Sequence, residues 1–381
     1  MAVDVQPRPH GPFVPRLIAW ELSRACPMAC TYCRAAARPA RDADELTTEE
    51  GFRLLENLAS FAKPILILTG GEPLLRPDVY DLATRAVALG LPVVLATCGM
   101  GLDDAAAGRL VESGIRHISI SLDGASAETH DAVRGVEGAF DAALRAVETA
   151  RRAGLSFQVN TTVARYNRKE LLAIRDLADR QGASVFNPFL LVPTGRGRTM
   201  ADEGLSAEES EETLHWLADE RGRTRMQIRV TCAPHFQRVL RQRRQADEPQ
   251  PSGHGPVRSS PQGEGGCMGG KSFAFVSHTG KVQICGFLDV ACGDLRREAF
   301  NFRKIWETSD VFRSVRDVGS YGGRCGRCDY SAVCGGCRAR AYAMTGDYLS
   351  EEPFCIYRPK PTAPRQARGG EPGRTAAEPQ R

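Results

Sequence analysis

Residues 16–33 read Arg16-Leu17-Ile18-Ala19-Trp20-Glu21-Leu22-Ser23-Arg24-Ala25-Cys26-Pro27-Met28-Ala29-Cys30-Thr31-Tyr32-Cys33. The apolar run 16–22 has the texture of a buried strand, and it leads into three cysteines spaced C-x3-C-x2-C. Three is the informative number. A cubane iron–sulfur cluster normally takes four thiolates, one per iron, so three in one tight loop leave an iron open to a small molecule. A zinc site or three buried thiols are the plain alternatives. Zinc asks for a fourth ligand close by, and none is evident in this run.

The same strand-then-loop unit recurs down the chain. Further apolar runs lie at 64–69, 91–97, 115–121, 155–163 and 184–192. Amphipathic helix patterns separate them. One of these, 47–62, opens Thr47-Thr48-Glu49-Glu50, an N-terminal capping signature. Six strands alternating with helices predict a parallel sheet with right-handed crossovers, and their unbroken apolar character fits a sheet covered on both faces. The fold class is α/β, a partial (β/α)6 TIM-like barrel, with an open doubly wound sheet as the alternative. In barrels the loops at strand C-termini carry the chemistry, which is where the cysteine triplet falls.

Composition sets the bounds. The 381 residues are enough for one large domain and a small one, and 42% hydrophobic with 25% charged residues is ordinary for a globular protein. A net charge of +4 is too small to argue for nucleic acid. No run approaches the roughly 20 apolar residues of a membrane span, and the proline-rich residues 1–15 lack the apolar segment of a secretory signal. The chain reads as cytoplasmic, where thirteen cysteines point to metal rather than disulfides. The expected layout is an N-terminal extension 1–15, a core 16–200, a helical connector 201–245 with a short strand-like run at 227–230, a flexible loop 246–266, a cysteine-rich region 267–357 and a disordered tail 358–381. Within the cysteine-rich region, 272–284 reads as a hairpin turning at His278-Thr279-Gly280.

Two more turns add polar groups at strand ends. Gly70-Gly71-Glu72-Pro73 follows the second strand, with glycines for close backbone approach and a carboxylate suited to an ammonium group. Ser121-Leu122-Asp123-Gly124 ends the fourth, and Arg134 follows as a candidate carboxylate clamp. Each alone is weak. Together, C-x3-C-x2-C, G-G-E-P and S-x-D-G resemble the radical S-adenosylmethionine enzymes over about residues 16–195. The resemblance implies a [4Fe–4S] cluster on Cys26, Cys30 and Cys33, with the amino and carboxylate groups of S-adenosylmethionine on the open iron. It implies further that Gly70, Gly71, Glu72 and Pro73 hold the methionine amine, that Ser121, Asp123, Arg134 and Asn160 address the methionyl or ribose portions, and that Leu191 and Val192 flank the adenine. The family often carries Thr-Asn-Gly after the third strand. Here it is Thr97-Cys98-Gly99, and Cys98 reads as a small buried thiol outside the clusters.

The C-terminal cysteines are Cys267, Cys285, Cys292, Cys325, Cys328, Cys334, Cys337 and Cys355. Two zinc sites would staple such a region equally well; a radical-cofactor domain alongside favours iron. This region resembles the SPASM extension, which carries auxiliary [4Fe–4S] clusters. The resemblance implies one cluster on Cys325, Cys328, Cys334 and Cys355, and another on Cys267, Cys285 and Cys337 with Cys292 as a possible fourth ligand. The family usually places three residues between the last pair of its central motif. Here Cys334 and Cys337 are separated by two, so one auxiliary cluster remains an alternative to two.

For the substrate, Cys232-Ala233-Pro234-His235, Cys285-Gly286-Phe287-Leu288-Asp289-Val290 and the run 335–348 resemble the tetrapyrrole-modifying branch. The opening Pro15–Leu22 is most similar to the heme synthases of the siroheme-dependent pathway. That resemblance implies oxidative decarboxylation of two propionates of iron-coproporphyrin III to vinyl groups, giving heme b, with an iron porphyrin as substrate and a flavodoxin- or ferredoxin-type electron donor. Arg196, Arg198, Arg338 and Arg340 are candidate partners for the porphyrin carboxylates, and His235 for its iron. The alternatives are a related step on didecarboxysiroheme or toward heme d1, a ribosomal peptide maturase, and an electron-transfer protein. About fifteen residues before the first strand leave little room for the leader-binding domain of a maturase. The G-G-E-P and S-L-D-G turns have no purpose in an electron carrier.

Overall fold

The computed structural model describes residues 13–247 and 266–359. Most of the expected N-terminal extension, most of the loop 246–266 and all but the first two residues of the tail 358–381 lie outside the described residues.

Six strands form where the apolar runs predict them: β1 (Leu17–Glu21), β2 (Ile65–Thr69), β3 (Val93–Thr97), β4 (His117–Ser121), β5 (Ser156–Val163) and β6 (Val185–Leu190). Each pairs in parallel with the next, and the two-residue β7 (Gln227–Ile228) extends the series beyond β6. The helices α1 (Thr48–Phe61), α2 (Val79–Ala88), α3 (Asp104–Glu112), α4 (Ala127–Arg134), α5 (Ala139–Arg152) and α6 (Leu171–Arg180) cross between the strands. The capping signature at the start of α1 is realised. Thr47 accepts from the Glu50 backbone N–H, and the Glu50 carboxylate accepts from the Thr47 N–H, at 3.2 and 2.9 Å. The fold is an α/β partial barrel, its core built from strand residues such as Ile18, Trp20, Leu66, Leu68 and Leu95 against helix residues such as Leu54, Leu58 and Leu82.

The cysteine-rich region extends this sheet. The expected hairpin is present as β8 (Phe273–Val276) and β9 (Lys281–Gln283), followed by β10 (Ala291–Asp294), and β8 lies parallel to β1 from Leu17↔Phe273 to Trp20↔Val276. The strand order is β10-β9-β8-β1-β2-β3-β4-β5-β6-β7. Two helices, α7 (Ala207–Glu220) and α8 (Phe236–Asp247), bracket β7 in the connector. No described helix is long and apolar enough to cross a membrane.

Candidate active site

The first loop is held from three sides. Its backbone is tied to the end of α4, with Ala29 N–H on Arg134 O at 3.1 Å and Thr31 N–H on Val133 O at 2.9 Å. Arg196, after β6, grips it through Nε on Cys30 O at 2.8 Å and Nη1 on Ala37 O at 2.5 Å. From below, Gly71 N–H donates to Ser23 O and Glu72 N–H to Ala25 O, both at 2.7 Å. A Cβ on Gly71 would stand 2.3 Å from Ala25 O, so these glycines permit close approach to the cysteine loop's own backbone.

All three thiols are provided with donors. The sulfur of Cys26 accepts from Met28 N–H, that of Cys33 from Ala37 N–H, and that of Cys30 from Arg134 Nη1, each at 3.4 Å. Donors aimed at sulfur suit thiolates rather than thiols. Cys98 joins them, packed with Cys26, Met28 and Cys30 in one small buried cluster. Its hydrogen bond to Cys26 holds the Cys26 thiol below its usual range against burial, and the same bond raises Cys98. At Cys30 burial dominates and pushes the thiol up, opposed by the Arg134 charge. Position in the Thr97-Cys98-Gly99 turn was the only sequence signal for Cys98.

The polar turns converge on the same strand ends. Glu72 is fully buried, and its carboxylate accepts from Thr97 Oγ1 and Cys98 N–H at 2.8 Å and from Leu74 N–H at 3.1 Å. Burial pushes its pKa up, partly offset by those donors. Asp123 accepts from Tyr32 Oη at 2.5 Å and from Thr162 N–H at 2.7 Å, and Arg134 Nε stands 3.4 Å from it. Arg134 also donates to Tyr32 Oη at 2.8 Å, while its buried Nη2 has no hydrogen-bond partner among the described residues. Tyr32, inside the triplet, is thus the link between the cysteine loop and Asp123 that spacing alone did not single out. Asn160 on β5 accepts from Gln158 and, across to β6, from Asn187. Ser121 ends β4, and Leu191 and Val192 are buried just past β6.

The C-terminal cysteines divide into two groups. Cys325 and Cys355 act on both Cys328 and Cys334. Their sulfurs accept from Glu352 N–H (Cys325, 3.3 Å), Tyr330 N–H (Cys328, 3.4 Å), Gly336 N–H (Cys334, 3.4 Å) and Arg238 Nη2 (Cys355, 3.9 Å). Cys267, Cys285 and Cys337 form the other group. Cys292 stands apart, with Ser309, Arg316 and Ile284 as the groups that act on it. Among the described residues no three His, Cys, Asp or Glu side chains converge so as to hold a single metal ion. A cubane asks for less convergence, since each thiolate meets its own iron.

Three of the four cationic candidates are used by the protein itself. Arg338 donates to Tyr348 O and Ser350 O and lies over the Tyr321 ring. Arg340 donates to Leu190 O and Leu191 O and pairs with Glu352. Arg196 holds the cysteine loop, and exposed Arg198 is the one of the four with no hydrogen-bond or ion-pair partner among the described residues. His235 is entirely buried with neither ring nitrogen hydrogen-bonded among the described residues, and burial lowers its pKa to about 4. A general reason covers the two buried arginines: a buried guanidinium must find acceptors, and these found carbonyls and a carboxylate of their own chain.

Comparison with known proteins agrees with this architecture. The family model described as the radical SAM superfamily matches residues 20–178. Streptococcus suis SuiB, solved bound to S-adenosylmethionine, shares the fold with a TM-score of 0.71 at 14% identity, over 90% of this chain and 78% of that one. The chain belongs to the radical SAM superfamily, and membership implies S-adenosylmethionine and a [4Fe–4S] cluster, for which the three donor-supplied thiols of the β1 loop are suited. Among its relatives, the AdoMet-dependent heme synthase of Methanosarcina barkeri is 46% identical over 91% of this chain and 97% of that protein. The AdoMet-dependent heme synthase of Nitratidesulfovibrio vulgaris is 42% identical over 95% of this chain and 100% of that protein. The Fe-coproporphyrin III synthase of Methanosarcina barkeri is 31% identical over 89% and 87% of the two chains.

Proposed function

We propose that the protein is a heme synthase that converts two propionates of iron-coproporphyrin III to vinyl groups, giving heme b. The observation that carries this reading is identity of 42–46% to AdoMet-dependent heme synthases along nearly the whole chain, against 31% to the Fe-coproporphyrin III synthase and 30% to the pre-heme d1 synthase of Dinoroseobacter shibae. The mycofactocin maturase of Mycobacterium tuberculosis is 28% identical, which disfavours the peptide reading.

A [4Fe–4S] cluster held by Cys26, Cys30 and Cys33 would supply the electron for cleavage of S-adenosylmethionine and so the means of taking a hydrogen atom from carbon. The chain's own residues bind and orient. Arg134 places a guanidinium beside Cys30 with Nη2 still free, suited to an anionic group. Tyr32 and Asp123 fix that guanidinium in place, and buried Leu191 and Val192 offer an apolar face to a purine. Each propionate loses a hydrogen atom from its β-carbon, then CO2 and one electron, and becomes a vinyl group. The electron needs an acceptor, which the C-terminal cysteine groups are suited to hold as auxiliary clusters. A flavodoxin- or ferredoxin-type donor in the cytoplasm completes the proposal.

The test is turnover by reduced, reconstituted protein given S-adenosylmethionine and iron-coproporphyrin III. Loss of two carboxyl groups from the porphyrin with deoxyadenosine release is expected. Turnover of 12,18-didecarboxysiroheme in its place would overturn the assignment.

A further inference from the structure

We infer that Cys232, from the connector ahead of the cysteine-rich region, completes a four-thiolate set with Cys267, Cys285 and Cys337 and is the fourth ligand of an auxiliary iron–sulfur cluster. The inference rests on reading the C-terminal cysteines as cluster ligands.

Position comes first. Thr231 bridges to Phe189, its N–H donating to Pro188 O at 2.9 Å and its carbonyl accepting from Leu190 N–H at 3.2 Å. The chain is therefore anchored to β6 immediately before Cys232. At Cys232 the backbone turns left-handed, with φ of 57°, a conformation that non-glycine residues rarely adopt. Such strain persists where surrounding structure insists on it, and it clusters at functional sites. The turn delivers the Cys232 thiol to Cys337, with which it is hydrogen-bonded, and within the electrostatic reach of Cys285. Cys337 in turn acts on both Cys267 and Cys285, and Cys267 acts on Cys285.

The alternatives are less well placed. Cys292 on β10 has Ser309, Arg316 and Ile284 for neighbours and no cysteine among them. His235 faces Glu352, Arg340, Arg238 and Glu211. Chemistry agrees with the geometry. A cubane normally takes four thiolates, and Cys267, Cys285 and Cys337 supply three. Four thiolates leave no iron open, so a cluster here carries electrons and does not bind substrate through iron.

The experiment compares the anaerobically purified wild-type holoenzyme with C232A, C232G, C292A and C267A by iron and sulfide content and by EPR of the reduced and oxidised protein. Glycine accepts the left-handed backbone without strain, so C232G removes the thiol while easing the fold. In both Cys232 variants the expected result is loss of about four irons per chain, one cubane, or the oxidised three-iron signal of a cubane that has shed an unanchored iron. The S-adenosylmethionine-dependent EPR change of the first cluster should persist, and C292A should match wild type. Wild-type iron and EPR in C232G together with cluster loss in C267A would overturn the role of Cys232, as would cluster loss confined to C292A. Unchanged iron and EPR in C267A would instead reject the cluster reading on which the inference stands.

Discussion

Arg340 and Glu352 form an ion pair, N–O 3.2 Å, with side-chain exposures of 0% and 1%. Glu352 also accepts the Cys337 N–H at 2.6 Å, and its own N–H donates to the sulfur of Cys325 at 3.3 Å. One residue therefore touches both C-terminal cysteine groups, and Arg340 anchors it to the end of β6 through the Leu190 and Leu191 carbonyls.

Removing one partner strands the other. Arg340→Ala should cost about 3–5 kcal/mol in chemical denaturation, the usual penalty for an uncompensated buried charge, and should lower iron content in the same preparation. Arg340→Lys should recover little, because an ammonium cannot reproduce the fork onto two carbonyls and a carboxylate. Wild-type stability in Arg340→Ala would show that the pair is dispensable.

Cys30→Ala should abolish deoxyadenosine release from S-adenosylmethionine. Its thiol is one of three in the first loop and carries the Arg134 hydrogen bond. Cleavage that persists in this variant would reject the assignment of the first cluster.

Gly71→Ala should be poorly tolerated although it adds only a methyl. The new Cβ would lie 2.3 Å from Ala25 O and 2.7 Å from Ala25 C, both backbone atoms. Relief requires moving the segment that leads into Cys26. Overpacking of this kind costs about 1–3 kcal/mol, and cluster occupancy should fall with it. Normal iron content and melting temperature would contradict the close approach.

Tyr32→Phe should raise the KM for S-adenosylmethionine more than it lowers kcat. The hydroxyl donates to Asp123 and accepts from Arg134. Its loss leaves a buried carboxylate oxygen short of a donor, a penalty of about 1–3 kcal/mol, and frees the guanidinium beside Cys30 to shift. Unchanged kinetics would remove Tyr32 from the positioning of the site.

Acid should weaken the join between β1 and the β8–β9 turn. Glu21, at the end of β1, accepts from Arg34 at 3.0 Å and pairs with His278 at 2.9 Å. Burial alone would raise its pKa. The charge of Arg34, the His278 hydrogen bond and Arg24 outweigh burial and hold the carboxyl down to about 2 from an ordinary 4.5. The folded state thus favours the ionised form, so this contribution is fully present above about pH 4.5 and is lost as pH falls to about 2. A shift of that size corresponds to roughly 3 kcal/mol. In Glu21→Gln the acid limb of stability against pH should flatten; an unchanged limb would mean that other carboxylates govern it.

Much of the architecture was readable from local chemistry. Apolar runs bounded by turn residues specify β1 to β6, and Thr47 with Glu50 specifies the start of α1, because strand period and capping depend on residues a few positions apart. The C-x3-C-x2-C spacing specifies a three-thiol loop for the same reason. What needed the folded chain were contacts between residues far apart in sequence. Arg338 and Arg340 looked available to a substrate until packing supplied each with acceptors. Cys98 read as a small buried thiol, and only the fold sets it beside Cys26. Sequence order alone did not show which C-terminal thiols lie near one another: Cys337 acts on both Cys267 and Cys285, whereas Cys292 has Ser309, Arg316 and Ile284 acting on it. Arg340 ties the start of the helix Arg338–Thr345 to the end of β6 through the Leu190 and Leu191 carbonyls, and no short-range pattern encodes such a crossing of segments about 150 positions apart.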